Sequence, residues 1–211
     1  MSCKWFGNSC AGKARCIHLF WYCLNSRNLA LSPEFTMVNS CGCCSHCCSM
    51  GVHRWKNHPY GYSGLGEVSV FIFFGLTATV GTYFAQTGQI TALSVLCAVP
   101  MGSLACAILA VNNIRDRAQD ELVGKRTLAV RLGDSKARKS FVVLLAIAHI
   151  SALATLVPGS LLTLAVLPLT ISISSAVMSG ASGPSLISLL GKTGKLQMFF
   201  GALFALALAI Q

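Results

Sequence analysis

The chain is 211 residues long, 54% hydrophobic and only 10% charged, with a formal net charge of +10. That apolar content exceeds what a single soluble core of this length needs, so the composition excludes an ordinary water-soluble domain and makes lipid the solvent for much of the chain. No basic helix with interleaved aromatics lies outside the hydrophobic runs, which argues against nucleic acid as the reason for the positive charge.

Nine of the 11 cysteines fall within the first 48 residues, and the composition changes abruptly near residues 57–66. Residues 1–57 therefore read as a Cys-rich leader that is not native to the fold following it. Within this leader the apolar stretch 16–24 is too short to span a bilayer and at most touches its surface, and no run of signal-peptide form follows Lys4. Cys41-Gly-Cys-Cys-Ser-His-Cys-Cys48 offers soft ligands, and Cys44 and Cys47 have the spacing of a zinc knuckle. A structural zinc site needs a second ligand pair, for which only His53 and His58 are near. The plainer reading is a reduced, loosely held cytoplasmic segment.

Beyond the leader, five stretches are long and apolar enough to be read as membrane-spanning helices: residues 68–84, 90–111, 140–157, 161–178 and 196–210. Each approaches the roughly 20 residues that cross a 30 Å hydrocarbon layer at 1.5 Å rise. The expected fold is all-α, an integral membrane bundle of about five transmembrane helices.

Eight of the 16 basic residues lie between Asn112 and Lys139; Lys192 and Lys195 follow two spans later, and Arg54 and Lys56 precede the first span. All three groups fall on one side of the membrane. The opposite connections, 85–89 and 158–160, carry no charge, so the basic side is assigned to the cytoplasm and Gln211 to the other face. Gly75, Gly81 and Gly201 are read as sites of close helix packing. Tyr60, Tyr62 and Tyr83 suit interfacial anchoring. His149, inside the third span, is either functional or a neutral side chain paired within the packing. Leu190-Gly-Lys-Thr-Gly-Lys195 lacks the first glycine of a phosphate loop, since Leu186 stands in its place, and reads as a positively charged cytoplasmic loop.

Four of the six acidic residues, Asp116, Asp120, Glu121 and Asp134, sit in the segment from Asn112 onward. If the second span continues as a helix, Asn112, Asp116 and Asp120 stack on one face at successive i, i+4 steps. Such a row of hard oxygens suits magnesium bridged to substrate phosphates, and Lys125, Arg126 and Arg131 follow at once as cations for a phosphate group. Spacing alone equally allows a solvated helix end in which the acids pair with Arg115, Arg117 or the later basic residues.

The full string decides between them. Asn112-Asn-Ile-Arg-Asp-Arg-Ala-Gln-Asp-Glu-Leu-Val-Gly-Lys-Arg-Thr-Leu-Ala-Val-Arg-Leu-Gly133 resembles the second aspartate-rich motif of the UbiA superfamily of membrane prenyltransferases, closest to the branch that prenylates 1,4-dihydroxy-2-naphthoate for menaquinone. Tyr60-Gly-Tyr-Ser-Gly-Leu-Gly-Glu-Val68, Phe73-Phe-Gly75, Gly81-Thr-Tyr-Phe-Ala-Gln86 and Thr193-Gly-Lys-Leu-Gln197 resemble the same branch, so the resemblance covers residues 58–211. It implies the last five of nine helices surrounding a cavity. It makes Asn112, Asp116 and Asp120 ligands of Mg2+, directly or through water, Asp116 and Asp120 catalytic, and Lys125, Arg126 and Arg131 diphosphate-binding. The implied substrates are a polyprenyl diphosphate and 1,4-dihydroxy-2-naphthoate, and the implied setting is the cell membrane with segment 112–139 on the cytoplasmic side.

One departure is large: no Asn-Asp-x-x-Asp motif precedes Tyr60, where the family places a first aspartate site and four helices. The chain is therefore expected to be the C-terminal portion of such an enzyme behind an unrelated leader, from a frameshift, a misplaced start or a start at Met37 or Met50. Its polar cavity face would then need cover from a separate N-terminal half or another chain. Two rival readings stand beside the enzyme: a non-catalytic, transporter-like assembly partner, and a membrane-anchored zinc regulator built on Cys41–Cys48.

Overall fold

The structure, a computed structural model, describes residues 63–210. The leader with its zinc expectation at Cys41–Cys48, His53 and His58, the anchoring residues Tyr60 and Tyr62, and the terminal Gln211 lie outside the described residues. Every regular element in the described part is helical, in the order α1 (Gly66–Thr87), α2 (Ala92–Leu122), α3 (Leu128–Leu153), α4 (Pro158–Met178) and α5 (Pro184–Ala209). These are the five helices expected. α1, α2 and α4 are long and apolar enough to cross a membrane by length and composition. α3 and α5 have 26 residues each, but Asp134, Lys136, Arg138 and Lys139 open the long part of α3, and Lys192 and Lys195 interrupt α5. The chain is a multi-pass membrane protein.

α2 lies at the centre, mostly buried, whereas α1 and α4 are mostly exposed and present their side chains to the surroundings. α2 packs most extensively on α3, and also on α1 and α5. In lipid, apolar side chains gain little by leaving one hydrocarbon for another, so close van der Waals approach holds helices together. The residues at the crossings are accordingly small. A Cβ on Gly75 would stand 2.6 Å from the Gly102 Cα, so α1 and α2 meet backbone to backbone there. The crossing falls in a π-helical segment of α1, Phe71–Thr77, and the Phe71 ring crowds the same side of Gly102. A Cβ on Gly159 of α4 would stand 2.9 Å from the Ala207 Cα of α5, and Gly201 packs on Met101. The packing role expected for Gly75 and Gly201 is what the structure shows.

Helix ends follow local chemistry. Thr91 opens α2 with a reciprocal capping box: its hydroxyl accepts from the Ser94 N–H at 3.1 Å, and the Ser94 hydroxyl accepts from the Thr91 N–H at 3.2 Å. α3 stops at Leu153, four residues short of the expected span end; the connection that follows takes Leu156 into the left-handed region at φ 56 and holds Val157 extended ahead of Pro158. α4 starts as a 3-10 helix over Pro158–Val166 and becomes α-helical at Leu167, where Pro168 in the first turn has no N–H to satisfy.

α5 begins at Pro184, twelve residues before the expected span. The segment Leu190–Lys195 is helical, not the loop its glycines suggested. Leu186, Leu189, Thr193, Leu196, Phe200, Phe204 and Ala207 form one buried stripe along α5, and this tertiary packing outweighs the roughly 1 kcal/mol cost of each helical glycine. His149 is buried on α3, its Nε2 3.0 Å from the Thr170 hydroxyl and its ring edge-on to Phe200, the paired alternative of its two readings.

Candidate functional site

α2 has 31 residues, about 46 Å of helix, so it outruns a 30 Å hydrocarbon layer by several turns. Its polar C-terminal end carries Asn112, Asp116 and Asp120 in one unbroken helix, as the i, i+4 spacing required. Much of the supposed polar loop 112–139 is therefore helix; only Val123–Thr127 connects α2 to α3. Successive i, i+4 steps rotate by about 40°, so the three residues drift around the axis and meet different neighbours. Asp116 is 37% exposed at its side chain, while Asp120 is only 9% exposed and turned toward the turn that follows.

Asp116 is held by Arg115 in a two-pronged pair, Nε to Oδ1 and Nη2 to Oδ2 both at 2.7 Å. This guanidinium keeps the Asp116 carboxyl below the ordinary aspartate value of 3.8, with partial burial opposing the shift. Arg117 reaches Glu121 and Asp134, each at 3.9 Å.

The end of α2 is a Schellman motif. Gly124 takes the left-handed conformation at φ 71, its N–H donates to the Glu121 carbonyl at 3.1 Å, and the Lys125 N–H donates to the Asp120 carbonyl at 2.8 Å. The chain thereby reverses, and Lys125 Nζ lies 3.0 and 3.1 Å from the two Asp120 carboxylate oxygens.

Arg126 and Arg131 come next, both exposed, and neither makes an ion pair among the described residues. Arg131 Nε donates to the Arg126 carbonyl at 3.3 Å, and the buried Thr127 caps α3 through the Val130 N–H. The hairpin rests on Gly64, where a Cβ would meet Arg131 Nε at 2.9 Å and the Arg126 carbonyl at 3.2 Å. Gly133 breaks α3 at φ 74, ψ 169, a conformation almost confined to glycine, so the longer helical stretch begins at Asp134. Asp134 pairs with Arg138 at 2.7 and 3.1 Å, which keeps its carboxyl below 3.8; buried Arg138 also donates to the Val177 carbonyl at 2.6 Å, tying α3 to the end of α4. Asp134 and Arg138 thus serve the fold.

Two polar residues escaped the sequence reading. Glu67, at the start of α1, accepts a hydrogen bond from Asn113 Nδ2 to its Oε1 at 2.8 Å, and its Oε2 is buried without a hydrogen-bond partner among the described residues. It lines a cavity of about 300 Å³ between α1, α2 and α3, whose other walls are mostly apolar, among them Ala110, Ile114, Leu128, Ala137 and Leu144. The available signal was Glu67 itself, an acid abutting a hydrophobic run in a chain with six acids.

Lys125 and Arg115 thus neutralise the two carboxylates expected to face a metal, and no group of three or more His, Cys, Asp or Glu is placed to hold one among the described residues. The donor chemistry still fits Mg2+, which is commonly held by one or two carboxylates together with substrate phosphates and water. Arg126 and Arg131 follow Lys125 in the same hairpin, and among the described residues neither pairs with an acid.

A sequence profile of the UbiA prenyltransferase family matches residues 53–182. The chain is 38% identical over 153 residues to a protein of Mycobacterium tuberculosis named 1,4-dihydroxy-2-naphthoate octaprenyltransferase, covering 72% of this chain and 52% of the relative. A protein of the same name from Haemophilus influenzae is 38% identical over 157 residues, covering 72% and 51%. A UbiA prenyltransferase domain-containing protein 1 of Dictyostelium discoideum is 28% identical over 151 residues, covering 71% and 45%. The chain spans about half the length of the curated relatives it matches.

Proposed function

The chain belongs to the UbiA prenyltransferase family, and we propose that it serves transfer of a polyprenyl group from an allylic diphosphate to 1,4-dihydroxy-2-naphthoate, with loss of the carboxyl group, giving demethylmenaquinone. One observation carries this reading: a helix whose polar C-terminal end carries Asn112, Asp116 and Asp120 and turns directly into a cationic hairpin, Lys125, Arg126 and Arg131. The naphthoate and the prenyl group are named by analogy with the relatives at 38% identity.

In this mechanism Asn112, Asp116 and Asp120 hold Mg2+, directly or through water. Bound there, Mg2+ supplies electrostatic stabilisation of the departing diphosphate. Lys125, Arg126 and Arg131 bind the diphosphate oxygens, and Lys125 exchanges its Asp120 partner for phosphate. The apolar faces of α1, α2 and α3 exclude water, so the allylic cation left by ionisation meets the electron-rich ring before it meets solvent. The excess of basic residues at this end supports a cytoplasmic position for it, at the face of the cell membrane.

A structural, non-catalytic role is the competing reading, favoured by the internal pairing of both carboxylates. Binding of geranyl diphosphate to the purified chain, with and without Mg2+, separates the two. The transferase reading expects Mg2+-dependent binding that Asp116→Asn and Asp120→Asn each weaken at least tenfold. Binding indifferent to Mg2+ and to both substitutions would leave the structural role.

A further inference from the structure

The face of α2 that α1 covers runs straight into the carboxylates. Gly102 meets Gly75, Leu109 lies 3.4 Å from where a Cβ on Gly66 would stand, and the Cys106 Sγ donates to the Glu67 carbonyl at 3.1 Å. Asn113, buried on the same helix, donates from Nδ2 to Glu67 Oε1 at 2.8 Å. Gly102, Cys106, Leu109 and Asn113 are spaced by four, three and four residues, so they form one stripe along α2. Three and then four residues further, in the same rhythm, the stripe reaches Asp116 and Asp120. Glu67 therefore grips α2 at the last position before the carboxylates begin.

The same short segment also touches the cationic hairpin. Three residues before Glu67, a Cβ on Gly64 would stand 2.9 Å from Arg131 Nε and 3.2 Å from the Arg126 carbonyl. Residues 64–67 thus bridge the end of α2 and the turn that follows it. Apolar contact opposes rotation of one helix on another only weakly, whereas a hydrogen bond between two buried positions specifies a register. Stability alone does not explain Glu67. Its Oε2 is buried with no hydrogen-bond partner among the described residues, and a buried acceptor without a donor is destabilising.

We propose that Glu67 is a positioning residue: through Asn113 it fixes the rotation of the α2 end, and through the segment back to Gly64 it holds the hairpin, so that carboxylates and cations address one diphosphate. It touches neither metal nor diphosphate itself. The assignment rests on the transferase reading for the identity of the ligand. The ordering of the α2 end and of the hairpin by Glu67 is independent of that identity.

Two readouts on the full chain in detergent test it: hydrogen–deuterium exchange by mass spectrometry, and titration of geranyl diphosphate with and without Mg2+. Glu67→Ala and Asn113→Ala each remove the hydrogen bond. Both are expected to speed exchange across residues 113–131 while the far end of the bundle, around Gly159 and Ala207, keeps the wild-type rate. Both should weaken Mg2+-dependent geranyl diphosphate binding about fivefold or more, and the double variant should bind no worse than either single one, since one pair is lost once. Glu67→Gln keeps an oxygen for Asn113 Nδ2 and should bind within about twofold of wild type. If Glu67→Ala does not fold, Glu67→Asp, one methylene short of Asn113, carries the same expectations. Thr170→Val, which breaks the buried pair with His149 at 3.0 Å, is the control for lost stability alone: it should melt earlier yet bind as wild type does. Exchange that rises uniformly, Glu67→Gln as weak as Glu67→Ala, additive losses in the double variant, or an equal loss in Thr170→Val would each overturn the assignment. A wild-type chain that binds no geranyl diphosphate sinks the transferase reading alone, and the exchange pattern then decides the positioning role by itself.

Discussion

Lys125 Nζ lies 3.0 and 3.1 Å from the two carboxylate oxygens of Asp120, so an expected phosphate cation and an expected metal ligand are each other's partner. The pairing is produced by five residues of backbone, since the left-handed Gly124 turns the chain back over the last turn of α2. Diphosphate and metal compete with this pair for the same two groups, and that exchange sets the order of several expected effects.

Lys125→Met should have two opposed consequences. It removes one phosphate contact, but it also frees Asp120 for a cation. Geranyl diphosphate affinity is expected to fall about tenfold, or ~1.4 kcal/mol, while half-saturation by Mg2+ moves to lower concentration. Titrating each ligand at a fixed level of the other measures both; a rise in the Mg2+ requirement would contradict the exchange.

Gly124→Val should act at a distance from any ligand. A β-branched residue at φ 71 costs about 1–2 kcal/mol and disfavours the Schellman turn. The variant is expected to melt earlier than wild type and to bind geranyl diphosphate more weakly than Gly191→Ala, a control at an exposed helical glycine whose added Cβ meets nothing within 4 Å.

The pH dependence of stability follows from Asp116 and Asp134. Their carboxyls lie below the ordinary value of 3.8, held there by Arg115 and Arg138 respectively. A carboxyl lowered in the folded state contributes fully above its unfolded value and loses that contribution as pH falls through the folded one. Thermal stability should therefore lose nothing from these two groups between pH 7 and about 5 and decline below about 4. Asp134→Asn should melt earlier than wild type at pH 7, with the two curves converging as the pH falls through the lowered carboxyl value of the folded state. Parallel curves over the whole range would show that the pair with Arg138 contributes nothing.

Gly75→Val tests the crossing of α1 and α2. Its Cβ would stand 2.6 Å from the Gly102 Cα, and backbone cannot rotate aside as a side chain can. Overpacking of this kind costs about 1–3 kcal/mol where it is accommodated. The variant is expected to melt earlier than wild type, which a thermal melt of the purified chain in detergent would show.

Much of the architecture was legible because bilayer thickness imposes a length rule on apolar runs. Five helices were expected and five are present, with the apolar parts of α1, α2 and α4 close to their expected bounds. The row Asn112, Asp116 and Asp120 was legible for a similar reason, since helical periodicity follows from spacing once the helix continues. The helical state of Leu190–Lys195 was not, because two glycines and a threonine lower local helix propensity while the stripe from Leu186 to Ala207 that overrides it is tertiary.

By itself the sequence determined the solvent, the helix count and the family, since hydropathy, length and a long contiguous motif are properties of the chain in order. Tertiary structure decided which charges meet. Side-chain pairing depends on turns and crossings that bring distant residues within 3 Å, so Asp120 with Lys125 needed the Gly124 turn, and Glu67 with Asn113, 46 residues apart, needed α1 to pack against α2.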